Sequence, residues 1–340
     1  MKKKSNKKRF WVKHYAIVCT FLLVGIFFLL FLLVFKFIQV PGQDVFSIFR
    51  FDYSKNRLLY KYNECLNSNI NLEDNEKIND FENSLNKILK SYRVSVLFKG
   101  VNDSYTYIYN EKENYYAAST IKVLDAIYIY NKANKGEIDL STEVTYTKNY
   151  SYADSKGMEK HKFGDKVSLR ELVSYAIMYS DNAAHRMLVD YIGLNNLREF
   201  SKEIGAKFYL TPNELFGTMT VNNALCYLQE LYRLISINNE NGKELYSFFT
   251  NSISNFLSID VLGIPAAVKF GYYDTTFHNI GIVYAEDPYY LIVLTKEGHR
   301  DYENIIKTIN NKIYELYVMK NNEKKDICYE RVYGVQNREQ

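Results

Sequence analysis

The sequence predicts an α/β (α+β) domain in which an antiparallel sheet is built from both ends of the domain. Helices flank the sheet, an all-helical subdomain is inserted in the middle, and one transmembrane helix precedes the whole. Three observations predict this. Runs rich in Val, Ile, Tyr and Phe come early, as RVSVLFKG and SYTYIYN, and return late, as AAVKFGYY, HNIGIVYAE and YYLIVLTKE. Segments with apolar residues at helical spacing fill the middle. An uncharged apolar run of bilayer length lies near the N-terminus.

Residues 1–14 form a basic tail with Lys2, Lys3, Lys4, Lys7, Lys8, Arg9 and Lys13. Residues 15–38 hold the anchor, whose apolar run is Ala16 to Phe35. Cationic flanks stay on the cytoplasmic side. The expected topology is therefore a single pass through the cell membrane, with the N-terminus cytoplasmic and the domain that follows extracytoplasmic. A cleaved signal peptide is the competing reading. The run is longer than an ordinary signal h-region, however, and QVPGQDVF offers no small-x-small site. Residues 39–80, Asn-rich toward their end, read as a stalk; 81–320 form the domain, and 321–340 read as a charged C-terminal tail.

Within the domain, Phe81 to Leu89 has an amphipathic helical pattern. The first two strand runs are separated by Gly100, Asn102 and Asp103, which predicts a hairpin. Ser119 opens the helix STIKVLDAIYIYNKANKG, closed by Gly136. Ser168 and Glu171 form a capping box for a second helix. Further helices are expected from Ala183 to Ile192 before Gly193, through LREFSKEIG, from Thr220 to Ile235 and through GKELYSFFTNSI. After the late strands, DYENIIKTINNKIYELY closes the domain as a helix.

The formal net charge is +4, and much of the basic excess sits in the first fourteen residues, which gives no basic stripe for nucleic acid. The histidines at 14, 161, 185, 278 and 299 show no metal-ligand spacing, so neither a metal nor a cofactor is expected. Outside the anchor, Cys65, Cys226 and Cys328 allow at most one disulfide, and Cys226 reads as a core residue. An ordinary hydrophobic core must therefore hold the fold.

Three short motifs carry chemistry. In Ser119-Thr-Ile-Lys122 the serine and lysine share a helix face, and the helix N-terminus favours both a lysine of lowered pKa and an oxyanion beside the serine. Ser5-Asn-Lys-Lys8 has the same spacing, but in the basic tail. Ser180-Asp181-Asn182 falls between two helices, where one of its residues serves as an N-cap or where a hydroxyl and an amide serve a substrate. Lys269-Phe270-Gly271 lies on a strand, where a glycine marks either a bulge or close approach of another group. Lys296-Glu-Gly298 repeats this pattern at a strand end, where a turn explains it.

The three occur in one order and in fitting settings: serine-x-x-lysine, then S-D-N, then K-x-G. AASTIKVL, VSLRELVSYAIMYSDNAAHRMLVDYIG and AAVKFGYYDTTFHNIGIVY resemble the corresponding segments of penicillin-binding proteins and class A β-lactamases, over about Ser91 to Tyr317. The resemblance implies a β-lactamase/transpeptidase-like fold and a set of roles. Ser119 attacks a carbonyl and is acylated, Lys122 takes its proton, and Ser180 relays protons to the leaving nitrogen. Asn182 holds the substrate amide, Lys269 attracts a substrate carboxylate, and the N–H groups of Ser119 and Tyr272, next to Gly271, form the oxyanion hole.

Two departures from the family pattern matter. The loop IGAKFYLTPNELFGTMT is short, and its only acid, Glu214, is a doubtful deacylation base for which loop or cap duty is the simpler reading. Phe270 stands where the family has Thr or Ser, with Thr275 and Thr276 as conceivable substitutes. The leading expectation is therefore a membrane-anchored serine hydrolase acylated by D-Ala-D-Ala-type peptidoglycan stem peptides and by β-lactams, with slow deacylation. A true β-lactamase is the alternative, and a non-catalytic module binding wall peptides or a protein the third reading.

Overall fold

The computed structural model describes residues 53–68, 70–72, 74–296 and 301–334. The expected transmembrane run at 16–35, the basic tail and the first part of the stalk, residues 39–52, lie outside the described residues. Among those described, no helix is long and apolar enough to cross a membrane. The chain divides into two compact units. The smaller, residues 1–65 with 329–340, contains most of helix α1 (Tyr53–Leu66) and a π-helical turn at Glu330–Gly334, with the Tyr62 and Tyr333 rings 6.1 Å apart.

The larger unit, 66–328, opens with α2 (Glu76–Leu89), β1 (Val94–Gly100), β2 (Thr106–Tyr109) and β3 (Tyr115–Tyr116). A 3₁₀ turn at Ala118–Ile121 leads into α3 (Lys122–Asn134). Then come β4 (Glu143–Thr145), β5 (Lys166–Ser168), α4 (Leu169–Met178), α5 (Asn182–Ile192), α6 (Leu194–Glu203) and β6 (Thr218–Met219). The chain ends with α7 (Val221–Ser236), α8 (Glu240–Thr250), β7 (Ala266–Tyr273), β8 (Thr276–Val283), β9 (Tyr289–Thr295) and α9 (Tyr302–Tyr329).

The main sheet has the order β2-β1-β9-β8-β7, antiparallel throughout. The two early strands are thus joined to the three late ones by the β1–β9 pairing, from Val94 opposite Thr295 to Gly100 opposite Tyr289. Every residue of β8 and β9 is buried, the mark of strands covered on both faces. The helical insertion centres on α3, whose residues 122–131 are all buried. A helix buried on every side fixes the side chains it carries from all directions.

Local chemistry explains the boundaries. The capping box forms as expected: Ser168 Oγ accepts from Glu171 N while Glu171 accepts from Ser168 N. Thr220 caps α7 through Asn223 N, and Gly193 closes α5 with a φ of +83°. Three extents differ from the sequence expectation. Ser119 sits in a 3₁₀ turn, and the α-helix proper starts at Lys122. The larger unit begins at Leu66, because Ile70, Leu72 and Ile78 are buried and Asn75 caps α2; the Asn-rich composition hid these apolar anchors. Finally, α9 runs through Tyr329, well into the segment read as a charged tail. Lys320 pairs with Asp103, Glu323 accepts from Lys77 and Asn75, and Cys328 is buried. Cys65 and Cys328 are each disulfide-bonded, and Cys226 is a free, half-buried thiol on α7.

One buried imidazole locks the sheet to the segment ahead of the 3₁₀ turn. His278 on β8 donates from Nε2 to the Tyr116 carbonyl at 2.8 Å, and its Nδ1 accepts from Thr295 N at 3.1 Å. Those partners require the neutral tautomer, and burial pushes its pKa down to about 4. The unfolded chain binds a proton below about 6.5 that the folded chain refuses. Stability is therefore full above pH 6.5 and falls as the pH drops toward 4, by about 3 kcal/mol in total. Urea unfolding of the wild type should show this decline, and His278→Gln, which cannot take up the proton, should flatten it.

Candidate active site

The site forms where the 3₁₀ turn, the α4–α5 junction and β7 meet. Two non-glycine residues there adopt left-handed backbone conformations: Ala118 with φ +46° and Ser180 with φ +59°. Such conformations are costly and persist only where the surroundings impose them. Asp181, fully buried, does the imposing at the junction. It caps α5 by accepting from Ala184 N at 2.9 Å, and its other oxygen accepts from Met158 N at 2.9 Å. The cap expected in the S-D-N motif is thus Asp181, which leaves Ser180 and Asn182 to face Lys122.

Lys122 is the hub. Its Nζ lies 3.0 Å from Ser119 Oγ, 2.5 Å from the Ser180 carbonyl, 2.7 Å from Asn182 Oδ1 and 3.4 Å from Ser180 Oγ. The side chain is fully buried, and that desolvation lowers its pKa to about 7, against the opposing pull of nearby carboxylates, Asp181 foremost. Once it has lost its proton, the amine has two N–H groups and a lone pair. The two nearest acceptors match the N–H groups, and the lone pair is left for the Ser119 hydroxyl.

Lys269 approaches from β7. Its Nζ donates to Ser180 Oγ at 2.9 Å and to the Phe270 carbonyl at 2.9 Å. Burial and the proximity of Lys122 push its pKa well below the ordinary lysine value. Two amines therefore converge on one serine hydroxyl. Asn182 is tied on its other side, Nδ2 donating to the Ala153 carbonyl at 3.2 Å.

Gly271 is where strand and 3₁₀ turn touch. A Cβ there would lie 3.0 Å from the Ala117 carbonyl oxygen, from Thr120 N and from Thr120 Cγ2. The glycine thus marks close backbone approach, with no bulge in the β7–β8 register from Ala266 to Tyr273. Tyr272, next along, turns an exposed ring toward Phe277 and Tyr302.

The structure thus brings Ser119, Lys122, Ser180, Asn182, Lys269 and Gly271 together. Glu214 is engaged elsewhere: its Oε1 accepts from Phe216 N at 2.9 Å, Gly217 N at 3.3 Å and Tyr116 Oη at 3.4 Å. Thr276 is also committed, its hydroxyl donating to the Tyr273 carbonyl at 2.7 Å across the β7–β8 turn.

The sequence reading missed Phe216, whose ring centroid lies 5.7 Å from Lys122 Nζ. It also missed the buried pair Asp125 and His185, each three residues beyond a motif residue on its helix. That spacing from Lys122 and Asn182 was the available signal.

A model of the beta-lactamase enzyme family matches residues 80–317. The chain belongs to that family. It is a serine hydrolase of β-lactamase type, and solved structures agree on the fold. The TLA-3 extended-spectrum β-lactamase superposes with a TM-score of 0.63 at 20% identity, over 71% of this chain and 99% of that one. A β-lactamase from Chitinophaga pinensis gives 0.62 at 17%, over 69% and 98%. A point mutant of PBP-A, solved as its acyl-enzyme complex with penicillin G, gives 0.64 at 14%, over 71% and 97%. No curated protein matches the sequence.

In this β-lactamase-family site the Gly271 contact sets a steric limit. Gly271→Ala should destabilise the fold by about 1–3 kcal/mol, because two of the three crowded atoms are backbone and give way reluctantly. Chemical denaturation compared with the wild type measures it, and a change within error would mean the turn yields freely.

Proposed function

We propose that this protein is a membrane-anchored, extracytoplasmic enzyme that forms an acyl-enzyme on Ser119 with D-Ala-D-Ala-type wall peptides and β-lactams and hydrolyses it slowly. The observation that carries the reading is the buried amine of Lys122, with a pKa of about 7, set 3.0 Å from Ser119 Oγ.

In the forward step Lys122 accepts the hydroxyl proton as Ser119 attacks the carbonyl. The N–H groups of Ser119 and Tyr272 receive the developing oxyanion, since Gly271 lets β7 close on the 3₁₀ turn. Ser180 Oγ, between the two lysines, passes a proton to the departing nitrogen. Asn182 orients the substrate amide, and Lys269 attracts a carboxylate.

Slow deacylation is supported by two facts. Glu214 accepts three hydrogen bonds from its own loop and from Tyr116, and the Phe216 ring covers Lys122 on the side where that loop passes. A hydrolytic water needs a base in reach, and an aromatic ring supplies none. Anchoring rests on the apolar run at 16–35 with its cationic flank.

The test is intact mass of the full-length chain with a labelled penicillin over time. The expected result is a persistent adduct that Ser119→Ala lacks. A transient adduct with steady drug loss would mean a true β-lactamase, and no adduct at any pH would leave a binding module. The acylation rate should also rise through about pH 7, because Lys122 acts as base only after losing its proton. A flat profile between about pH 5.5 and 8.5 would remove Lys122 from that role.

A further inference from the structure

Beneath the site, Asp125 and His185 form a fully buried pair with no place in the steps above. Asp125 lies one helical turn beyond Lys122 on α3, and His185 one turn beyond Asn182 on α5. Their contact, His185 Nδ1 to Asp125 Oδ2, is 2.5 Å. On the other side of the ring, Nε2 lies 3.2 Å from the Leu215 carbonyl oxygen in the 204–217 loop. The Phe216 ring rests against the imidazole, centroids 5.2 Å apart, and reaches Lys122 from there.

Donor and acceptor counting fixes the protons of this pair. A carbonyl oxygen only accepts, so Nε2 carries a hydrogen. An ionised carboxylate also only accepts, and a bare Nδ1 facing it at 2.5 Å would set lone pair against lone pair. One further proton must therefore lie between Nδ1 and Oδ2. Whichever atom holds it, the pair is electrically neutral as a whole.

Neutrality matters because Lys122 is sensitive to charge. The groups facing it are Asp125 on its own helix, Asp181 ahead of α5, Asp154 in the 151–157 loop and Lys269 on β7. The 204–217 loop contributes the Phe216 ring. The pair itself also faces Tyr227 on α7, whose hydroxyl is neutral at working pH.

We propose that His185 is a positioning residue for Lys122. It cancels the charge of Asp125 beside the lysine and, through the Leu215 carbonyl, pins the 204–217 loop so that Phe216 closes over the amine. The consequence for acylation rests on the function proposed above; the electrostatic claim does not.

The experiment follows the titration of the Lys122 side chain by carbon-13 NMR of lysine-labelled full-length protein without any β-lactam, the signal assigned by its loss in Lys122→Met. In His185→Gln the amide still reaches Leu215 but brings no proton to Asp125. The bare carboxylate should raise the Lys122 midpoint by roughly one unit or more. Asp125→Asn keeps both hydrogen bonds, with a neutral imidazole, and should leave the midpoint near the wild-type value. The double variant should return it there.

An unmoved midpoint in His185→Gln overturns the proposal. So does a drop of about one unit in Asp125→Asn, which would mean that Lys122 feels a free carboxylate in the wild type. If His185→Gln does not fold, Asp125→Asn alone decides. His185→Leu, which removes both donors, should also speed amide exchange through residues 209–217, and unchanged exchange there removes the pinning. If midpoints move as stated while penicillin acylation fails to follow them, the charge cancellation stands and Lys122 loses its role as base.

Discussion

Two lysine amines are buried against a single serine hydroxyl, and the rest of this structure is organised around tolerating that. Removing an ammonium from water is expensive, and the usual outcome is loss of the proton with hydrogen bonds supplied to what remains. Lys122 finds acceptors on two chain segments, and Lys269 finds two more. The first set needs the 3₁₀ turn and α3 against the α4–α5 junction, the second needs β7 against the same junction, and Ser180 belongs to both. The cost of desolvation thus couples the sheet and the helical subdomain, whose sequences are far apart.

Rigidity at these meeting points comes from ordinary devices used where they constrain most. Asp181 holds α5 and the backbone of Met158 at once, so Ser180 has little freedom to leave its left-handed conformation. Thr120 Oγ1 donates to the Ala117 carbonyl at 2.6 Å, and Ala117 N donates to the Gly217 carbonyl at 3.1 Å. His278 holds the Tyr116 carbonyl from the sheet side. The turn bearing Ser119 is therefore gripped from the sheet and from the 204–217 loop, which is how a short 3₁₀ segment keeps a serine directed at one amine.

The fold was legible because its signals are local. Alternation and β-branched content marked all five strands of the main sheet, and AAVKFGYY coincides with β7 residue for residue. Caps at Ser168 and Thr220 and the stop at Gly193 gave helix ends. The edges of the compact unit were less visible, because burial of Ile70, Leu72 and Cys328 depends on contacts remote in sequence. In the site, motif spacing identified the residues that converge on Ser180. It could not show that Glu214 would be consumed by backbone N–H groups, or that Phe216 would stand over Lys122. Those outcomes follow from the path of a loop whose sequence, with Thr211, Pro212, Asn213 and Gly217, announces turns without fixing their direction.

Phe270 shows how one substitution changes a site that otherwise keeps its chemistry. A hydroxyl at this position would offer a substrate carboxylate a hydrogen bond worth about 1.5–3 kcal/mol, tenfold or more in affinity. Here the aromatic ring lies 4.2 Å from Lys269 Nζ, and the nearby hydroxyl of Thr276 is already given to Tyr273. A ring face repels a carboxylate, so Phe270 disfavours a substrate carboxylate beside that amine. In the proposed function acylation runs through Ser119, Lys122 and Ser180, none of which Phe270 contacts through a hydrogen bond. The substitution therefore bears first on which substrates are held, while Ser119 and Lys122 keep their geometry and Phe270 reaches Ser180 only through Lys269.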